Sequence, residues 1–249
     1  MVSPRYPIIL KEKRTLAPGT IELTYQREDE GVIGYLPGQF FSLDFKYQGE
    51  EKSRSYSAVA RVEDLRNNRE FQFAITAVPD GAASSYFFNA TPGESAKMSG
   101  PFGALTLPKS DPSRYIMIAT GTGVAPYRTM LPELEKRLQQ NTGLQVTVVM
   151  GVRTPAELIY GEEFIALAKE YAGFSFYACY SREMPDQPAA HEYAGRVGVL
   201  FEQLEPDAAK DMVYLCGNPD MVEESVSWFS AREFTAKNLK REKYKFSTF

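Results

Sequence analysis

The sequence predicts a two-domain β plus α/β protein, with an N-terminal antiparallel β-barrel followed by a C-terminal domain on a five-stranded parallel sheet. Three observations carry this. Before residue 112 the chain consists of short strand-like runs separated by Gly and Pro turn signals. After it the period changes to strand, helix, strand. Glycine-containing turns then fall directly after two of the apolar strands, where an open parallel sheet collects its ligands. The expected domains are residues 1–110 and 113–249, joined through Pro108–Ser113.

In the first half, Thr20–Tyr25, Phe40–Phe45, Ser55–Val59 and Phe71–Val78 read as strands. Pro18-Gly19, Pro37-Gly38, Gly49, Pro79-Asp80-Gly81, Pro92-Gly93 and Gly100-Pro101 punctuate them. Ala82–Phe88 is the exception, a short helix. In the second half, Tyr115–Ala119, Val146–Met150, Phe174–Cys179 and Val213–Cys216 read as strands. Val124–Gln139, Glu162–Tyr171, Val197–Leu204 and Asp220–Ala231 read as helices between or after them. Repeated βαβ units of this kind are right-handed and put helices on both faces of a parallel sheet.

Composition narrows the function. At 249 residues, 43% hydrophobic and 24% charged, the chain has the make-up of a soluble globular protein. It has no run of about 18 apolar residues, nor an apolar stretch at its N-terminus, so a cytoplasmic protein is expected. Cys179 and Cys216 are the only cysteines and His191 the only histidine, which excludes a four-cysteine iron–sulfur cluster, a Cys/His zinc site and a metal centre of that type. Both cysteines sit in apolar strand-like runs and read as small buried hydrophobes. A net charge of -4 argues against a general nucleic-acid binder. Lys237, Lys240, Arg241, Lys243 and Lys245 nevertheless cluster near the end, with Glu242 the one acid among them. That cluster, or Lys11, Lys13 and Arg14, is either a solvated face or a docking patch for an acidic partner.

The strand-end turns carry the chemistry. Gly121-Thr122-Gly123-Val124-Ala125-Pro126 follows the first strand of the second half, and Gly217-Asn218-Pro219 follows the fourth. Two glycines and the N-terminus of the next helix suit a phosphate, and Pro126 is compatible with a first helical turn, where its missing N–H has no intrahelical partner anyway. It does replace the third glycine of the usual dinucleotide fingerprint. Arg153, Ser181-Arg182 and Gly195-Arg196 lie at further strand-end or loop positions. Three arginines fit a phosphate monoester and favour NADPH over NADH. Earlier, Arg54-Ser55-Tyr56-Ser57 offers a guanidinium, an aromatic plate and hydroxyls at strand spacing, either for a diphosphate and a planar ring or as an ordinary exposed strand. Gly81-Ala82-Ala83-Ser84 opens a short helix, another place for a phosphate.

Pro37-Gly38-Gln39-Phe40, Arg54-Ser55-Tyr56-Ser57, Gly81–Ser84, Gly100-Pro101-Phe102-Gly103, Gly121–Pro126 and Cys216-Gly217-Asn218-Pro219-Asp220-Met221 occur in the order seen in the ferredoxin–NADP reductase family, which the chain resembles over nearly its whole length. The resemblance implies a barrel that binds FAD and an α/β domain that binds NADP. By position, Arg54 resembles the flavin diphosphate ligand, Tyr56 the ring against the isoalloxazine, and Ser57 the hydroxyl near flavin N5, with Ser55 in the same motif. Gly81, Ala82, Ala83 and Ser84 resemble the flavin pyrophosphate turn. Gly121, Thr122, Gly123 and Pro126 are similar to the loop for the NADP diphosphate and ribose, and Cys216, Gly217, Asn218 and Pro219 to the segment beside the nicotinamide. Arg153, Ser181, Arg182 and Arg196 look like the 2′-phosphate set.

Ser57, Cys216, Glu242 and Tyr244 would line the hydride-transfer contact. Glu242-Lys243-Tyr244 matches the family's Glu-x-Tyr ending, yet residues 245–249 follow it, so Tyr244, Phe246 and Phe249 are all candidates for the ring over the flavin. The implied activity is electron transfer between NADPH and a one-electron carrier, ferredoxin or flavodoxin, through FAD. With no cysteine cluster in this chain, the carrier is expected to be a separate protein. Alternatives are an NAD(P)H-dependent flavoprotein reductase component of an oxygenase and a flavin-binding regulatory subunit.

Overall fold

Residues 4–244 are described by a computed structural model, the side chain of Leu65 excepted. They fall into two units, one of residues 4–107 with Ala125–Pro132, the other of Pro108–Val124 with residues 133–244.

The first unit is built on β1 (Arg5–Ala17), β2 (Thr20–Arg27), β3 (Phe40–Tyr47), β4 (Glu50–Ser57), β5 (Glu70–Thr76) and β6 (Ser95–Phe102). They lie in the order β4-β3-β6-β1-β2-β5, and each adjacent pair is antiparallel. An Ala58–Phe73 bridge and a 2.9 Å bond from the Val59 N–H to the Gln72 carbonyl join the outer strands and close the barrel. Closure removes the free strand edges that an open sheet would present. Alternate residues turn inward, so Leu23, Tyr25, Phe41, Leu43, Phe71 and Phe73 fill the interior. Phe41 meets the edge of Phe71 at 5.4 Å, the geometry that aromatic quadrupoles favour.

The four strands and the helix expected here are present, the helix as α1 (Ala82–Asn89). β1 and β6 were not foreseen. β1 carries Pro7 and the charged run Lys11-Glu12-Lys13-Arg14 and buries Ile8, Leu10 and Ala17 over thirteen residues, so its apolar signal is thin. β6 buries Ala96 and Met98 and carries Gly100-Pro101 before its last residue, Phe102.

The charged run also has structural partners. Lys13 Nζ donates to the carbonyls of Phe88 (2.9 Å) and Ala90 (2.6 Å), supplying donors where α1 runs out of its own. Arg14 Nε lies 2.6 Å from Glu22 Oε1, whose side chain is 2% exposed. Two of the three charges in the expected docking patch at Lys11, Lys13 and Arg14, those of Lys13 and Arg14, thus also have partners within the barrel, while the Arg14 side chain stays 50% exposed.

The second unit contains β7 (Arg114–Thr120), β8 (Gln145–Val152), β9 (Phe174–Tyr180), β10 (Glu192–Ala194), β11 (Asp211–Gly217) and β12 (Leu239–Lys243). Its sheet, β10-β9-β8-β7-β11-β12, is parallel throughout. The sheet has six strands where five were expected; the four placed in the sequence are present, and β10, whose three residues are too few to show a period, and β12 were not placed. The helices are α2 (Ala125–Gln140), which spans both units, α3 (Gly161–Glu170) and α4 (Pro219–Ser230). The helix expected at Val197–Leu204 is a 3-10 turn over Val197–Leu200. The chain steps outward from β7 through β8 and β9 to β10, then returns to lay β11 on the other side of β7. That reversal puts the topological switch point between β7 and β11. Below it, Arg114 holds Asp211 at 2.5 and 3.2 Å and donates to the Leu204 carbonyl. No helix among the described residues is long and apolar enough to cross a membrane.

In the first unit, Gly38 sits at φ +93° with its N–H 2.7 Å from Thr129 Oγ1. A Cβ there would lie 1.9 Å from the Leu105 carbonyl oxygen. Gly38→Ala is expected to cost more than about 3 kcal/mol through strain and overlap, read as a lowered midpoint in thermal unfolding.

Candidate functional site

The switch point is where the expected dinucleotide residues gather. Cys216 stands opposite Ala119 in the β7–β11 pair, so both strands end at the same level. Their exits touch: a Cβ on Gly123 would lie 2.3 Å from the Cys216 carbonyl oxygen, and one on Gly217 would lie 2.4 Å from Thr120 Oγ1. Thr120 Oγ1 accepts the Asn218 N–H at 2.9 Å. The Asn218 side chain in turn accepts the N–H groups of Asp220 and Met221 at 2.8 and 3.3 Å, capping α4, whose first turn holds Pro219. Thr120 is a positioning residue that the sequence reading passed over.

Gly121 differs from Gly123. It has φ +52° and nothing within 4 Å of its would-be Cβ. Gly121–Val124 form a 3-10 turn into α2, which has Pro126 in its first turn and no side-chain cap. An uncapped N-terminus behind an open glycine leaves N–H donors for an anion. β12 lies beside β11 with Glu242 opposite Cys216, and carries the chain to Tyr244. There the Tyr244 N–H bonds the Gly217 carbonyl at 2.9 Å and its hydroxyl donates to the Thr122 carbonyl at 3.2 Å. Gly121–Gly123, Cys216–Asn218, Glu242 and Tyr244 thus meet at one end of the sheet. Cys216 is fully buried; burial pushes its thiol pKa well up, Glu242 adds to this and a Tyr244 hydrogen bond opposes it.

The phosphate-monoester candidates occupy the neighbouring strand ends. Arg153 follows β8, Ser181-Arg182 follow β9, and Gly195-Arg196 follow β10. Backbone bonds lock them together: Ser181 N–H to the Val152 carbonyl (3.0 Å), Arg182 N–H to that of Arg153 (2.9 Å), and Gly195 N–H to that of Tyr180 (2.8 Å). Arg153, Arg182 and Arg196 are all exposed. A residue unmarked in the sequence reading, Glu157, stands among them. Its Oε1 is 2.5 Å from Arg153 Nη2, and its Oε2 accepts the Arg153 Nε–H and backbone N–H, each at 3.0 Å. Burial alone would raise the Glu157 pKa, but the Arg153 hydrogen bonds outweigh it and hold the carboxyl below its usual value. The signal was Thr154-Pro155, which starts a turn and brings the fourth residue back beneath Arg153.

In the first unit, Arg54 and Tyr56 share one half-buried face of β4, Ser53 and Ser55 are exposed, and Ser57 is buried. Arg54 Nη1 donates to the Ser53 carbonyl at 2.7 Å. The Tyr56 ring stands edge-on to Phe87 of α1, at 5.6 Å and 87°, tying β4 to that helix. Burial pushes the Tyr56 phenol pKa up. Gly81 precedes α1 with no side-chain cap, and the Ser84 hydroxyl accepts the Val78 N–H at 2.7 Å, pinning the turn through Ala82 and Ala83. Phe246 and Phe249 lie outside the described residues. No group of three His, Cys, Asp or Glu able to hold a metal occurs among the described residues.

Residues 7–107 match the oxidoreductase FAD-binding domain and residues 117–227 the oxidoreductase NAD-binding domain. The chain is similar to ferredoxin–NADP reductase B of Sorangium cellulosum, 30% identical over 212 residues that make up 84% of each protein. It is also similar to the toluate 1,2-dioxygenase electron transfer component of Pseudomonas putida, 29% identical over 240 residues, 96% of this chain and 67% of the relative. Other oxygenase components that it matches are longer still, and the chain spans 63% and 52% of two of them. Its fold is that of a ferredoxin NADP+ reductase from Neisseria gonorrhoeae with bound FAD and NADP, at a TM-score of 0.81 and 21% identity, covering 97% of this chain and 99% of that one.

Both cysteines are fully buried, and burial pushes the Cys179 thiol up to about 12. Because the thiolate is the reactive form, the folded protein at pH 8 is expected to release almost no chromophore from an aromatic disulfide reagent. Two equivalents per chain should appear on unfolding.

Proposed function

The chain belongs to the ferredoxin–NADP reductase family, and from that premise we propose that it oxidises NADPH and passes the electrons through FAD to a separate one-electron carrier protein, ferredoxin or flavodoxin. That it is an oxidoreductase with FAD-binding and NAD(P)-binding domains follows from the family itself. The assignment of FAD to residues 1–110 and of a nicotinamide nucleotide to 113–249 rests on the matched segments 7–107 and 117–227.

The observation that carries the nucleotide choice is the ring of Arg153, Ser181, Arg182 and Arg196 at the ends of β8, β9 and β10. A 2′-phosphate brings two negative charges that a ribose hydroxyl does not, and planar guanidinium groups pair with it. Gly121, the uncapped start of α2 and the open space beside them fit the diphosphate, and Asn218 with Pro219 shapes the neighbouring turn. In the barrel unit, the uncapped start of α1 behind Gly81 and the Arg54 guanidinium fit the FAD diphosphate, while Tyr56, propped on Phe87, presents a fixed ring. When bound, FAD supplies the exchange between two-electron hydride chemistry and one-electron carriers. The residues do the rest. Arg54 and the α1 turn bind, Tyr56 and Ser57 orient, and Cys216, kept protonated by its burial, contributes shape instead of a nucleophile.

A second reading is the reductase component of an oxygenase, favoured by the similarity to the toluate dioxygenase component over 96% of this chain. The two differ in acceptor. Reduction of a ferredoxin or flavodoxin at a rate matching NADPH oxidation supports the first, and exclusive activity with a cognate oxygenase supports the second.

Anaerobic addition of NADPH is expected to bleach the flavin absorption of the purified protein. Arg182→Ala and Arg196→Ala should each weaken NADPH binding by about tenfold or more, the worth of one charge-assisted pair, with a smaller loss for NADH. Equal losses for the two nucleotides would refute the 2′-phosphate site.

A further inference from the structure

One carboxylate, that of Glu157, is paired side chain to side chain with Arg153 at the end of β8. Glu157 occupies the Nε/Nη2 edge of Arg153, the edge a phosphate would otherwise take in a two-bond grip. It is anchored independently of that side chain, because the Arg153 backbone N–H also donates to it at 3.0 Å. If the guanidinium turned toward a ligand, the carboxylate would stay where it is. Its side chain is 19% exposed against 55% for Arg153, so the acid is the fixed member of the pair and the arginine the movable one. Arg182 also acts electrostatically on the same carboxyl group.

We infer that Glu157 is a specificity-determining residue that limits the preference for NADPH over NADH, by offsetting the Arg153 charge and repelling a 2′-phosphate. The inference rests on the 2′-phosphate reading above. The physics is asymmetric between the two nucleotides. A 2′-phosphate is close to a dianion at neutral pH and meets both a blocked guanidinium edge and a fixed negative charge. A 2′-hydroxyl carries no charge and can donate to a carboxylate. Glu157 therefore subtracts from one affinity and not from the other. An opposing effect also exists, since a bidentate carboxylate holds Arg153 in one rotamer and spares part of its ordering entropy on binding. The edge it holds decides the sign. The carboxylate takes the Nε and Nη2 donors that a phosphate needs, so a phosphate must draw the guanidinium away from it or accept the remaining edge.

Glu157→Gln tests this, being nearly isosteric and keeping an oxygen acceptor for the Arg153 N–H while deleting the charge. Calorimetric titration with NADP+ and with NAD+ gives the ratio of the two dissociation constants for the parent protein and the variant. The NADP+ preference is expected to rise about twofold to fivefold at low salt, the range for a partly exposed charge pair. The gain should shrink when ionic strength is raised to about 1 M, where the screening length is about 3 Å. An unchanged or reduced preference would overturn the inference and make Glu157 a residue that only orients Arg153. Glu157→Ala carries the same expectation should the glutamine variant be unstable, which thermal unfolding of each reports. The premise fails separately. If the parent binds NADP+ no better than NAD+ and Arg182→Ala moves neither constant, there is no 2′-phosphate site; discrimination that is intact but indifferent to Glu157→Gln defeats this inference alone.

Discussion

Backbone-to-backbone contact between the exits of β7 and β11 is the constraint from which the candidate nucleotide site follows. Parallel pairing brings the two strands to the same level, and the chains must then leave in different directions within contact distance of each other. Gly123 and Gly217 are the consequence, since each would place a Cβ under 2.5 Å from an atom of the opposing exit. Their missing side chains are demanded by protein, not by ligand. Gly121 is of another kind: its positive φ and open surroundings are what a turn toward a bound anion requires. Thr120 and Asn218 convert the close approach into a hydrogen-bonded joint, and Tyr244 fastens β12 and the Thr122 carbonyl to it. Loosening that joint would move every group at the strand ends at once.

Much of this architecture was legible. The change of period near residue 112 reflects real differences in burial, since β2, β3 and β5 are packed on an enclosed core while β7, β8 and β11 are covered on both faces. Pro18-Gly19 and the other turn signals mark connections because they satisfy backbone requirements locally. What escaped were elements whose stability comes from partners distant in sequence. β1 is accepted as a strand because β2 and β6 pair with it on either side, and its charged residues face α1, Glu22 or solvent. β10 exists because its three residues meet Ala178, Cys179 and Tyr180. No window around either segment contains that information.

The site was legible in a different sense. Glycines, arginines and the Asn218-Pro219 cap could be placed at strand ends because strand ends are predictable, so position gave them meaning. Glu157 escaped because its importance lies in a pairing across one turn, and a glutamate four residues after an arginine is commonplace on any surface. Thr120 escaped because a strand-final threonine looks like an ordinary β-former until the neighbouring strand presents the Asn218 N–H to it.

Charge shows most clearly where sequence and function part. Arg14, Arg114 and Arg137 carry the same charge as Arg182 and Arg196, yet Arg14 meets Glu22, Arg114 meets Asp211 with two carbonyls, and Arg137 meets Asp111 and Glu133. Removing one partner from such a set leaves a buried or half-buried charge uncompensated, so these arginines are committed to the fold. The basic residues of β12 belong partly to that group as well. They lie on the outermost strand of the sheet, where lysine and arginine discourage pairing with another chain, and Lys243 is matched by Glu223 at 2.6 Å. The guanidinium of Arg196, by contrast, has no ion pair among the described residues and sits at a strand end beside a 3-10 turn. Arg196 thus lies exposed at a strand end of the parallel sheet, whereas Arg114, Arg137 and Arg232 of the same unit are each paired with a carboxylate. The Arg153–Glu157 pair after β8 is the intermediate case, an exposed guanidinium held by a carboxylate that is mostly buried.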